Sequence, residues 1–108
     1  MTKQEYMLLA DECLARVERW LEAIDPDEVD YSTTDGMVSI EFPDRARFVL
    51  NRQSGNDQMW LAAASSAWHY AWDQAVADWR DDRDGHSLYE RVREVVVRKL
   101  GRDLPPIA

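Results

Sequence analysis

Cysteine is nearly absent, with Cys13 standing alone in 108 residues. One thiol can neither close an intramolecular disulfide nor build a thiolate metal cage. Histidine is almost as scarce: His69 and His86 are the only two, and neither has a partner at ligand spacing along the chain. Both are therefore expected in surface or structural roles. Glycine and proline number four each, too few for a repeat, a flexible linker or a low-complexity tract. No apolar run approaches the ~20 residues of a membrane-spanning helix, and no signal-peptide core follows Met1 to Glu5. A reducing, cytosolic setting and a single domain over 1–108 are the expectation. No Ser–His–Asp set, Gly-rich phosphate loop or paired-carboxylate pocket can be assembled, so the chain is not expected to be a conventional enzyme.

Basic residues are missing from one part of the chain in particular. The net charge is −8, and residues 1–44 hold twelve acids against Lys3, Arg16 and Arg19, a balance of −9. The remaining residues balance at +1. A field of that sign repels nucleic acid and anionic membrane and attracts cations or basic protein patches. Simple solubility is the other use of such charge.

Thr2-x-x-Glu5 forms a capping-box pattern, followed by Tyr6, Leu9, Ala10, Cys13, Val17, Leu21 and Ile24 at helical steps. Cys13 on that stripe reads as a small core residue. Asp25-Pro26 ends the helix, because a residue preceding proline is pushed out of the α region. The period then falls to two. Val29 and Tyr31, Val38 to Phe42, Phe48 to Leu50, Met59 to Leu61, Trp68 to Trp72 and Val76 to Trp79 read as short strands. Turn signals at Asp35-Gly36, Pro43-Asp44 and Ser54 to Asp57 imply a sequential antiparallel meander. Ser87-x-x-Glu90 is a second capping-box pattern, Leu88, Val92, Val95, Val96 and Leu100 a second stripe, and Gly101 its stop. Asp103 to Ala108 reads as a loose tail. Two amphipathic helices can bury their stripes only on the sheet. The expected fold is α+β: a two-layer sandwich with both helices on one face of a five- or six-stranded antiparallel sheet.

Asp11, Glu18, Glu22 and Asp25 fall along one stripe of the first helix, and Asp27, Glu28 and Asp30 extend the acid beyond it. Glu22 and Asp25 lie where the helix dipole is negative, which is locally unfavourable and points to a cation nearby. Oxygen ligands alone suit hard cations, Fe³⁺, Mg²⁺, Ca²⁺ or Mn²⁺. At ~1.5 Å of rise per residue, Asp11 and Asp25 stand about 21 Å apart. The acids form an open ridge of weak sites, not one cage. An EF-hand fails, since Asp30 stands where the turn glycine is required.

Met59 and Leu61 alternate with Trp60, so period two turns Trp60 and Gln58 to the open face, with Asn51 and Gln53 beside them. A tryptophan there is either an interface anchor or one covered by neighbouring side chains.

The helix–meander–helix order resembles the frataxin family, and specific residues carry the match. They are Leu50-Asn51-Arg52-Gln53 followed by Gln58-Met59-Trp60-Leu61, with Leu9-Ala10-Asp11, Gly36-Met37-Val38-Ser39-Ile40, Asp84-Gly85 and Ser87-Leu88. The resemblance extends from about Glu5 to Leu100. It implies a mainly monomeric regulator or iron donor for iron–sulfur cluster assembly that binds Fe²⁺ or Fe³⁺ weakly and reversibly and can self-associate with iron. The implied partners are the cysteine desulfurase, met by the acid ridge, and the iron–sulfur scaffold, met by Asn51, Gln53 and Trp60 on the sheet. A pure interaction module with incidental metal binding, or a weak ferroxidase, stands as the alternative. Arg16 and Arg19 interrupt the helix acids, which bears on how many irons the ridge can hold.

Overall fold

The first element, α1, spans Lys3–Glu22 in a computed structural model that describes residues 1–108. Its start is fixed as the sequence implies: the Thr2 hydroxyl accepts the Glu5 N–H at 3.1 Å, and the Glu5 carboxylate accepts the Thr2 N–H at 3.2 Å. Two orphan donors are thereby satisfied at once. The six strands that follow are β1 Asp30–Thr34, β2 Met37–Glu41, β3 Arg47–Gln53, β4 Gln58–Ala63, β5 Ser66–Asp73 and β6 Asp78–Asp81. They pair in sequence order, every neighbour antiparallel. The last helix, α2, spans Leu88–Leu100 and stops at Gly101, whose backbone is left-handed (φ 73°) and whose N–H closes on Val97 O at 2.9 Å.

Alternation divides the sheet. Val38, Ile40, Phe48, Leu50, Met59, Leu61, Tyr70 and Trp79 are buried toward the helices. There they meet Tyr6, Ala10, Cys13, Val17 and Leu21 of α1 and Leu88, Val92, Val95 and Val96 of α2. The two helices cover one face: α1 lies over β1, β2 and β3, and α2 over β6. The α+β two-layer sandwich has six strands. Burial pushes the Cys13 thiol up to about 12, so it behaves as a core residue.

Three details differ from the sequence reading. Val76 is exposed in the β5–β6 turn and does not open a strand. Ser87 has N-cap geometry but its side chain makes no capping bond. Its backbone is instead held in an antiparallel bridge to Arg80, and the adjacent His86 carbonyl accepts the Asp81 N–H. Finally, Asp103–Ala108 is no loose tail. Leu104 and Ile107 are buried in the core, the Trp20 indole N–H donates to Pro105 O at 2.8 Å, and Arg93 Nε donates to Leu104 O at 2.7 Å. The tail lies across the helices because their shared groove still exposes apolar surface.

Candidate functional site: an acid ridge and an open sheet face

Seven carboxylates read from the sequence end in two different states. Asp11 is paired with Arg52, which reaches from β3 to both Asp11 and Asp35. Glu28 accepts two parallel bonds from Arg102, from Nε at 2.7 Å and from Nη2 at 2.6 Å. That hydrogen bond holds the Glu28 carboxyl below the usual carboxylate range. These two are committed to arginine. Glu18, Glu22, Asp25, Asp27 and Asp30 have no basic side chain within 4.0 Å. Glu22 accepts the Tyr31 hydroxyl at 2.8 Å, which ties the end of α1 to β1 and raises the phenol's pKa. Asp25 accepts the Asp27 N–H at 2.9 Å, shaping the turn that leaves the helix.

Arg16 and Arg19 do not neutralise this group. Arg16 turns away, over the Tyr89 ring at 4.1 Å and onto Ala108 O at 3.0 Å. Glu41, which the sequence reading left out, joins the acids instead. Asp30 and Glu41 are cross-strand partners, and with Asp27 they line a shallow cleft of about 350 Å³ beside Pro26 and Pro43. Like charges directly opposite each other across two strands oppose folding. Nowhere along the ridge do three ligand atoms lie within 4.8 Å of one another. It can offer one or two carboxylates to a hydrated cation, and no cage.

The second group lies on the face away from the helices. Trp60 is opposite Asn51 and His69, and Gln58 is opposite Gln53. All five are partly exposed. Trp60 is not a bare anchor, however. Its indole stacks on His69 (centroids 4.2 Å, planes 24° apart) and donates to Gln58 Oε1 at 2.9 Å. The strand register makes this platform: β4 and β5 bring two aromatic rings side by side, and the Gln58 amide fixes the indole.

The family model described as a frataxin-like domain matches residues 1–102. The chain belongs to the frataxin family. It is similar to the iron–sulfur cluster assembly protein CyaY of Dechloromonas aromatica, at 36% identity over 101 residues and 94% of each chain. Frataxin from Psychromonas ingrahamii superposes with a TM-score of 0.85 at 25% identity, covering 96% of both chains. Trimeric frataxin from the yeast Saccharomyces cerevisiae, complexed with ferrous iron, superposes with a TM-score of 0.75 at 26% identity over 87% of each.

Within this frataxin fold, two functional features escaped sequence reading. Arg52 faces the helices, ties α1 to the β1–β2 turn and packs beneath Gly36 (φ 78°), where an added Cβ would lie 3.0 Å from its Nε. Period two could have revealed it, because Arg52 takes the same side as Leu50. His86 is not isolated either: its Nδ1 lies 2.5 Å from Asp84 Oδ1, and Asp81 stands close by. The chain folds back between β6 and α2, which brings together the side chains of Asp81, Asp84 and His86; their closeness in sequence is the available signal, and it reads only as a turn.

Proposed function

We propose that this frataxin is an iron-binding regulator or iron donor in iron–sulfur cluster assembly, acting through contacts with a cysteine desulfurase and a scaffold protein. The reading rests on the names of its relatives, on the ferrous complex of the yeast structure, and above all on one observation: Glu18, Glu22, Asp25, Asp27 and Asp30 gather at the α1–β1 end with no cation of their own. Uncompensated carboxylates on a folded surface attract metal ions and basic protein patches. Iron is cargo here, held weakly and reversibly in either oxidation state by few ligands and several waters, and other hard divalent cations compete for the same oxygens.

Asp11 and Glu28 take a lesser part, since an iron would have to displace an arginine from each. Asn51, Gln53 and Trp60 form the contact for the scaffold, and the ridge forms the contact for the desulfurase. The region 1–108 works as one frataxin-like domain, a monomer in the absence of iron, in the cytoplasm. Its action is binding and regulation, not turnover of a substrate.

The test is anaerobic Fe²⁺ titration followed by ¹H–¹⁵N correlation spectra and calorimetry. Perturbation should concentrate at Glu18 to Asp30. The Glu18→Gln/Glu22→Gln/Asp25→Asn variant should bind iron at least several-fold more weakly while melting no lower than wild type, because repulsion at the helix end is relieved. Unchanged iron affinity in that variant would remove the ridge assignment.

A further inference from the structure

The helix-facing side of β6 ends on a buried charge. Asp81 follows Trp79 on that side, pairs in register with Tyr70, and is only 6% exposed. Its Oδ2 accepts the N–H groups of Arg83 at 2.8 Å and Asp84 at 2.9 Å. Its Oδ1 is buried with no hydrogen-bond partner, alone among the buried side-chain polar atoms of the molecule. Buried carboxylate oxygens are normally satisfied by a donor or a cation, and an exception calls for an explanation. Asp81, Asp84 and His86 each offer a ligand atom within 4.8 Å of the others, the one such group in the chain.

We propose that Asp81, Asp84 and His86 form a divalent-metal site at the β6–α2 junction, distinct from the acid ridge. One imidazole nitrogen with two carboxylates favours Mn²⁺, Fe²⁺, Co²⁺ or Zn²⁺ over the all-oxygen preferences of Ca²⁺ and Mg²⁺. The imidazole is already oriented for the purpose. Its Nε2 lies 2.8 Å from the Tyr70 hydroxyl, and the Tyr70 ring (5.3 Å, 87°) and Trp68 ring (6.4 Å, 90°) meet it edge-on. Tyr70 is fully buried. With Nδ1 bound to metal, Nε2 carries the proton and donates it to the Tyr70 oxygen, the outer partner that metal-bound histidines use to fix their tautomer.

The Nδ1–Oδ1 contact of 2.5 Å must open to about 3 Å around an ion with bonds of ~2.0–2.2 Å. Asp84 Oδ1 also accepts the His86 N–H at 3.0 Å, and the movement loosens that bond. The Asp84 side chain is 66% exposed, which leaves it room to swing outward and provides the entry for an ion. The junction lies beside β6, at the opposite edge of the sheet from β1 and the ridge acids. The two sites are therefore separable by mutation, and this one does not depend on what the ridge binds.

The test uses Mn²⁺ alone with the full chain, followed by pulsed electron paramagnetic resonance. The ridge offers only oxygen, so a ¹⁴N coupling typical of imidazole identifies the junction. The coupling should persist in Glu18→Gln/Glu22→Gln/Asp25→Asn and in His69→Gln, and vanish in His86→Gln. Asp84→Asn should weaken the nitrogen-coordinated Mn²⁺ by tenfold or more. Both junction variants alter partly exposed side chains, and a thermal melt verifies that they fold. The proposal is overturned by three results: no nitrogen coupling in wild type at about 1 mM Mn²⁺, the weak limit of protein cation sites; a coupling that survives His86→Gln; or one lost with the ridge acids.

Discussion

Trp60 separates a stabilising role from a binding role, because its neighbours in the same strand face the other way. Met59 and Leu61 are 0% and 1% exposed, and each fills the space between sheet and helices. Cutting either to alanine should cost about 2–5 kcal/mol. Trp60 is partly exposed, and what it loses on truncation is a stack on His69 and a hydrogen bond to Gln58. Aromatic pairs contribute about 0.5–1.5 kcal/mol beyond their burial, and a hydrogen bond about 1 kcal/mol. Trp60→Ala should therefore destabilise by roughly 1–2 kcal/mol, since Gln58 can turn to water once the indole is gone. At roughly 4–8 °C per kcal/mol for a domain near this size, Tm falls by about 4–16 °C for Trp60→Ala and by about 8–40 °C for Leu61→Ala. Affinity should move the other way. A hot-spot tryptophan is worth about 2 kcal/mol or more of binding, roughly thirtyfold in Kd, whereas Leu61→Ala should bind normally at a temperature where it remains folded. The assay pairs thermal melts with calorimetric titration of the desulfurase–scaffold assembly. A Trp60→Ala protein that melts below Leu61→Ala, or binds like wild type, refutes the reasoning.

The C-terminal segment should be structural: deleting 104–108 removes buried Leu104 and Ile107 and the Trp20–Pro105 hydrogen bond. The loss should be about 4 kcal/mol or more, measured by urea denaturation. Acid should weaken the fold through specific pairs. Arg102 depresses the Glu28 pKa, Lys99 that of Asp44, and the His86 N–H that of Asp84. A depressed carboxylate contributes stability above its unfolded value of ~4, and that contribution is lost as pH falls through the folded value. Tm should therefore drop below about pH 4, and less steeply in Glu28→Gln, as melts across pH 3–7 would show. Desulfurase affinity should fall steeply with added salt, since exposed charges are screened over ~8–10 Å near physiological ionic strength. A flat salt profile in calorimetry would exclude the ridge as the contact.

Local signals carried most of the architecture. The Thr2 capping box, the Gly101 stop and the switch from helical to alternating period each placed an element, because each is set by backbone chemistry within a few residues. What stayed hidden depends on distant partners. The β4–β5 turn passes through Ala64 at φ 55°, and the β5–β6 turn through Ala77 at φ 51°, conformations that alanine does not advertise. Leu104 and Ile107 look like an apolar remnant until the helices create a groove for them. The same limit governed the site. Helical spacing put Asp11 and Glu22 on one stripe, but only the folded sheet delivers Arg52 to Asp11 and Tyr31 to Glu22. His86 is the exception, since its partners Asp84 and Asp81 lie only two and five residues before it. They read as turn residues, and it is the folded turn that brings their ligand atoms within 4.8 Å.

The charge segregation in the sequence acquires a physical meaning from these pairings. The balanced region 45–108 supplies most of the molecule's ion pairs: Arg80 with Asp78, Arg93 with Asp103, Arg98 with Glu94. It also sends Lys99 to Asp44, Arg52 to both Asp11 and Asp35, and Arg102 to Glu28, so four acids of the first region are paired from outside it. Those four are scattered, on α1, in the loop after it and in the β1–β2 and β2–β3 connections. The acids left over collect where α1 runs into β1, and Asp30 and Glu41 carry the charge across the edge onto the open face of the sheet. That face continues through Asn51 and Trp60 to His69. Ridge and tryptophan platform are thus parts of one continuous surface, acidic at one edge and aromatic toward its middle. Repulsion between Asp30 and Glu41 works against the fold when the surface is bare and is relieved when a cation or a basic patch arrives. A partner that covers both regions gains from long-range attraction at the edge and from apolar contact at the centre, so the acids govern how fast it docks and Trp60 how long it stays.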